Sequence, residues 1–203
     1  MEKKIKFAPT VMLIDACYLN RVVNDMRRHF SPIVGRELPR ADLAVLLECM
    51  ALDAGVQTGD NEIQSIFIYE SGMGEMDGCT PSDLDKELNN VAFKGELGEV
   101  ALYAYQPSEM ATHEELFLES LQLLNESKEA VRLIVVPDEE GYVEKVYKKV
   151  ADMKGKEITV LGMNPPQKDC ACRFEMLGFA VLQALGIRGD CLLYTSDAAD
   201  DRI

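Results

Sequence analysis

Two periods alternate along the chain. Short, continuous apolar runs have the form of strands buried on both sheet faces, and between them apolar residues recur every three or four positions, as in helices. The first run is Thr10-Val-Met-Leu-Ile-Asp15, and residues 18–30 follow with Leu19, Val22, Val23, Met26 and Phe30 at helical spacing. Ser31-Pro32 is expected to close that helix. A second helix is predicted after Pro39 from the apolar Leu43, Val45, Leu46, Leu47, Met50 and Leu52, with Gly55 beyond its end as a cap. Residues 65–69 read as the second strand, 71–82 as a loop rich in Gly, Asp and Met, and 83–93 as a short amphipathic segment covering a sheet edge. The third strand is placed at 99–105, and a helix at 112–125 opens with the capping-box pattern Thr112-x-x-Glu115. Val131-Arg-Leu-Ile-Val-Val136 is the fourth strand, 139–153 a helix and 157–161 the fifth strand. Residues 173–185 are apolar almost all round and read as a helix that is buried or covered by a partner.

Strands alternating with helices predict an α/β domain, three-layered and Rossmann-like, with a mostly parallel five-stranded sheet flanked by helices. One such domain is expected over residues 1–190. Residues 191–203, Cys-Leu-Leu-Tyr-Thr-Ser-Asp-Ala-Ala-Asp-Asp-Arg-Ile, break the pattern and resemble an in-frame translation of a sequencing adapter. They are expected to be non-native.

The chain has 203 residues, 47% hydrophobic and 28% charged, which is the composition of a folded globular protein. No run approaches the roughly 18–20 apolar residues of a membrane span, and no signal core follows the first lysines, so a cytoplasmic protein without membrane contact is expected. The formal charge is -14, but it is unevenly spread. Residues 1–40 hold eight basic and four acidic side chains, whereas residues 41–190 hold 12 basic and 28 acidic ones. As a whole the chain repels a polyanion; a patch of Arg21, Arg27, Arg28 and His29 is the one local candidate for facing RNA. Cys170 and Cys172 form a C-x-C pair with no second pair or histidine nearby to complete a zinc site, and reduced thiols are expected.

In an open parallel sheet, ligands bind beyond the carboxyl ends of the strands. Asp15 stands there after the first strand, Glu70 after the second, and Asp138, Glu139 and Glu140 after the fourth. Carboxylates gathered at one rim repel unless a cation neutralises them, and an all-oxygen donor set suits Mg²⁺ or Mn²⁺. Asp15, Asp138 and Glu140 are the expected metal ligands, with Glu139 and Glu70 as further catalytic candidates. No G-x-G-x-x-G or G-x-x-x-x-G-K-[ST] follows any strand, which disfavours dinucleotide and P-loop nucleotide binding.

Leu133-Ile-Val-Val-Pro-Asp138-Glu-Glu-Gly-Tyr142, followed by Gly155-Lys-Glu-Ile-Thr-Val-Leu-Gly162, resembles the second half of the NYN domains of the PIN-like nuclease group. Val-Met-Leu-Ile-Asp15 resembles their first strand with its leading aspartate. The resemblance implies a parallel sheet flanked by helices and a Mg²⁺-dependent ribonuclease, or a relic of one. The chain departs from the family's turn: Val136 and Pro137 replace its Ser and Gly, Glu140 replaces its second Asp, and the aromatic is displaced to Tyr142. Tyr18 stands where the family has Asn. These departures favour a degenerate PIN/NYN-like binding or regulatory module, with a working Mg-dependent ribonuclease as the alternative. The module reading adds a protein partner or homodimer through the apolar C-terminal helix.

Overall fold

A computed structural model describes residues 6–187; the segment 191–203 lies outside the described residues. The elements in chain order are β1 (Thr10–Asp15), α1 (Ala16–Val34), β2 (Ala41–Asp42), α2 (Leu43–Asp53), β3 (Asn61–Ile68), β4 (Cys79–Thr80), β5 (Val91–Gly95) and β6 (Gly98–Tyr105). They continue with α3 (His113–Glu126), β7 (Arg132–Val136), α4 (Val143–Ala151), β8 (Glu157–Gly162), β9 (Arg173–Met176) and α5 (Leu177–Ala184).

Seven strands form the main sheet in the order β5-β6-β3-β1-β7-β8-β9. All neighbours pair in parallel except the edge hairpin β5–β6. β1 is buried along its whole length, and its alternate residues enter two different cores. Met12 and Ile14 pack with α1, α2 and α5 on one face, and Val11 and Leu13 with α3 and α4 on the other. The result is a three-layer α/β fold. The chain winds outward from β1 through β3 to β6, then returns to β7 on the other side of β1. The order therefore reverses between β1 and β7, the switch point at whose strand ends sheets of this kind bind their ligands.

Two strands were hidden from sequence reasoning, so the five-stranded expectation is corrected to seven. The segment 83–93 ends in the edge strand β5, whose side chains are mostly exposed and carry no strong apolar period. Residues 173–176 are strand β9, paired with β8, not the first turn of the last helix. Phe174 and Met176 continue into the apolar α5, which hides the change of period. α5 packs on α2 and α1, so its apolar surface is mostly covered within the chain, with Phe179 left exposed.

Helix α1 also runs past its expected end. Pro32 lies inside it, and the helix stops at Gly35, whose φ of 74° is left-handed and whose N–H donates to Ser31. Near a C-terminus proline removes a single backbone bond, which the last turn tolerates. Helix α4 starts later than predicted, because residues 139–142 form a turn after β7. Cys170 and Cys172 are bonded to each other, which corrects the reduced-thiol expectation; their Cα atoms are 5.2 Å apart, within the span of a disulfide.

The 71–82 loop is fastened to α1. Asp77 accepts from the Nδ2 groups of Asn20 and Asn24 at 2.9 and 2.8 Å, and Gly78 N–H donates to Asn20 Oδ1. No helix among the described residues is long and apolar enough to cross a membrane.

Candidate functional site

Asp15 ends β1 and caps α1. Its Oδ1 accepts the Tyr18 N–H at 3.0 Å, an ordinary capping bond. Capping accounts for one oxygen only. The residue is fully buried, and its other oxygen, Oδ2, accepts the Tyr142 hydroxyl at 2.5 Å and lies 3.4 Å from His113 Nε2. Burial raises the Asp15 carboxyl above its ordinary value, against the lowering effect of the bonds from Tyr142 and Tyr18. Burial likewise pushes the Tyr142 phenol up, so it remains a proton donor to Asp15.

His113 is the first residue of α3, directly after the cap. Thr112 Oγ1 accepts the Glu115 N–H and the Glu115 carboxylate accepts the Thr112 N–H, so the capping box fixes the turn from which the imidazole projects. The ring spans two acids: Nε2 faces Asp15, and Nδ1 lies 3.1 Å from Glu70 Oε1. Phe117, one helical turn on, packs against the Tyr142 ring with centroids 5.2 Å apart. That contact sets Tyr142 beneath Asp15.

Asp138 follows β7, across the switch point from Asp15. Its Oδ1 accepts the Glu140 N–H at 3.1 Å and lies 3.0 Å from Arg21 Nη2. One ligand atom each from Asp15, His113 and Asp138 lie within 4.8 Å of one another. Ligands sharing an ion with bonds near 2.1 Å sit at most about 4.2 Å apart. Binding an ion would therefore draw the three donors closer together.

The other predicted residues have separate places. Glu140 is exposed and 3.8 Å from Arg21, outside the three-residue cluster. Glu139 turns away to Asn164, accepting its N–H and its side-chain amide at 3.0 Å each. Gly162 leaves room for this, since a Cβ there would lie 1.9 Å from Glu139 Oε1. Glu70 reaches the cluster through His113. Sequence reasoning missed His113, Tyr142 and Arg21 as members of the site. His113 stands eight residues past the end of β6, too far to be read as a strand-end residue, and only the capping box marked that a helix begins there.

Arg21 also lines a cleft of about 480 Å³ along α1, with Asn24, Arg27, Arg28 and Ser31. All three of its arginines have partners: Arg21 pairs with Asp138, Arg27 donates to the carbonyls of Pro39 and Leu38, and Arg28 pairs with Asp25.

Fold and rim together define an α/β doubly wound protein whose switch point gathers two aspartates and a histidine. The chain belongs to DUF6621, a family of unknown function, whose profile matches residues 4–192. No curated protein and no solved structure matches it.

Proposed function

We propose that this chain is a divalent-metal-dependent phosphodiesterase acting on RNA, with Asp15, Asp138 and His113 as the metal ligands. The observation that carries the reading is the convergence of these three donors at the switch point, one of them a fully buried carboxylate. Asp15 accepts two hydrogen bonds, but burial still disfavours its charge, and a cation beside it would offset that cost. An imidazole beside two carboxylates suits Mn²⁺ better than Mg²⁺, because nitrogen donors favour the transition metals.

Each neighbour has a definable task. Glu70 Oε1 lies 3.1 Å from Nδ1 of His113 and would steady the ring with Nε2 turned to the metal. Tyr142 holds Asp15 in place with its hydroxyl. The α1 cleft sets Arg21 beside the rim, where it would meet a phosphodiester backbone, although Glu37 and Asp77 line the same cleft and Asn24 is engaged by Asp77 and Arg27. A bound divalent ion would supply an activated water and neutralise charge on the phosphodiester transition state.

A second reading, a regulatory or binding module without turnover, is favoured by Val136-Pro137 at the turn and by the Arg21–Asp138 ion pair. Calorimetric titration with MnCl₂, followed by cleavage assays on single-stranded and structured RNA, separates the two. Cleavage that depends on Mn²⁺ and is lost on Asp15→Asn supports the enzyme; Mn²⁺ binding without cleavage supports the module. Absence of Mn²⁺ binding removes both the metal site and the activity built on it. Glu70→Gln is expected to weaken Mn²⁺ binding by about 10–100-fold, the usual cost of losing an outer partner of a ligating histidine. Unchanged affinity in that variant would show that Glu70 does not orient His113.

A further inference from the structure

We infer that Arg21 is a built-in competing cation of the metal site: it neutralises Asp138 in the metal-free protein and must leave when an ion binds. The inference rests on the metal-centre reading above and concerns how that centre is loaded. Arg21 projects from α1 with Nη2 3.0 Å from Asp138 Oδ1 and 3.8 Å from Glu140 Oε2. The first of these acids is a proposed ligand, and the second stands beside it. Its guanidinium carbon is 5.8 Å from the centre of the Tyr18 ring, whose face steadies the charge in this position.

Two carboxylates at one rim repel, and a single guanidinium offsets part of that repulsion. A divalent ion between Asp15 and Asp138 offsets more of it and repels the guanidinium as a like charge. Arg21 holds Asp138 through Oδ1, so an ion on the same carboxylate would stand beside the guanidinium's positive charge. Arg21 has somewhere to go, because its side chain is 45% exposed and borders the α1 cleft. Asp138 thus exchanges one cation for another, and the measured metal affinity is the intrinsic one reduced by the fraction of protein in which Arg21 holds the carboxylate. Displacement by the ion delivers a guanidinium to the cleft, where a phosphodiester anion would meet it. By linkage, an anion that draws Arg21 into the cleft tightens metal binding by the same factor.

The test is Mn²⁺ affinity by calorimetry in wild type, Arg21→Gln and Arg21→Lys, with the Mn²⁺-induced rise in melting temperature as a second readout. Arg21→Gln is expected to bind Mn²⁺ about two- to fivefold more tightly than wild type, the size of one partly exposed ion pair removed from the competition. Its melting temperature should also rise more on adding Mn²⁺. Arg21→Lys, which keeps the charge without the planar fork, should fall between the two, and it carries the test if the glutamine variant does not fold. Equal or weaker Mn²⁺ binding in the variants, with wild type binding normally, would overturn the competition and leave the metal centre standing. No Mn²⁺ binding by wild type would overturn the centre and the competition together.

Discussion

Asp15→Asn is expected to lower Mn²⁺ affinity by more than about a hundredfold, beyond the usual cost of losing an outer partner, while the metal-free protein at neutral pH stays at least as stable as wild type. The two halves of this expectation come from the same burial. A neutral amide can still accept the Tyr18 N–H and pair with the Tyr142 hydroxyl, so the local bonds of Asp15 survive in kind. The charge does not survive, and that charge is the costly part. Burial raises the folded-state carboxyl above its ordinary value of 3.8, so the folded protein holds this proton more tightly than the unfolded chain does. The contribution to stability is therefore fully present below about pH 4 and is lost as pH rises through the raised folded value. Melting temperatures of metal-free wild type and Asp15→Asn, followed from acidic to neutral pH, should diverge in favour of the variant as pH rises. Adding Mn²⁺ at neutral pH should restore the wild type and leave the variant unmoved. If the variant instead loses stability at every pH, Asp15 is a structural cap and nothing more.

The second large effect is on the fold beneath the site. Phe117→Ala should destabilise the protein by about 3–5 kcal/mol, the range for removing a buried aromatic side chain. Phe117 is fully buried in the core between the sheet and helices α3 and α4, and its ring packs on Tyr142. The cavity would open under the phenol that holds Asp15 and one turn from His113, so Mn²⁺ affinity should fall along with stability. Chemical denaturation measures the first and calorimetry the second. Phe117→Leu, which keeps most of the volume, should retain more of both. A loss below about 1 kcal/mol on Phe117→Ala would mean that the neighbouring side chains collapse into the space.

How much of this was legible depended on how local each signal is. β1, the Thr112 capping box and strands β7 and β8 are written in runs of a few residues, and the structure places them where the patterns predict. Asp15 and Asp138 were readable as strand-end acids because each directly follows a buried apolar run. β5 and β9 were not, since an edge strand needs no strong apolar period and β9 runs straight into an apolar helix. The partners of the acids were harder still. His113, Tyr142 and Arg21 lie 98, 127 and 6 positions from Asp15, and no spacing rule links residues that meet only because the sheet reverses its order between β1 and β7. For the same reason the sequence could not say which of three consecutive acids faces inward. Asp138 takes the inward place, Glu139 is drawn off by Asn164, and Glu140 stays in solvent beside Arg21.

The most direct measurement is a crystal of the protein soaked in MnCl₂, with diffraction recorded where manganese scatters anomalously. One anomalous peak is expected at the strand ends, within bonding distance of Asp15, Asp138 and His113 Nε2, with Arg21 withdrawn from Asp138. A map with no peak there, while Asp138 keeps its bond to Arg21 and Asp15 its bond to Tyr142, would contradict the metal centre.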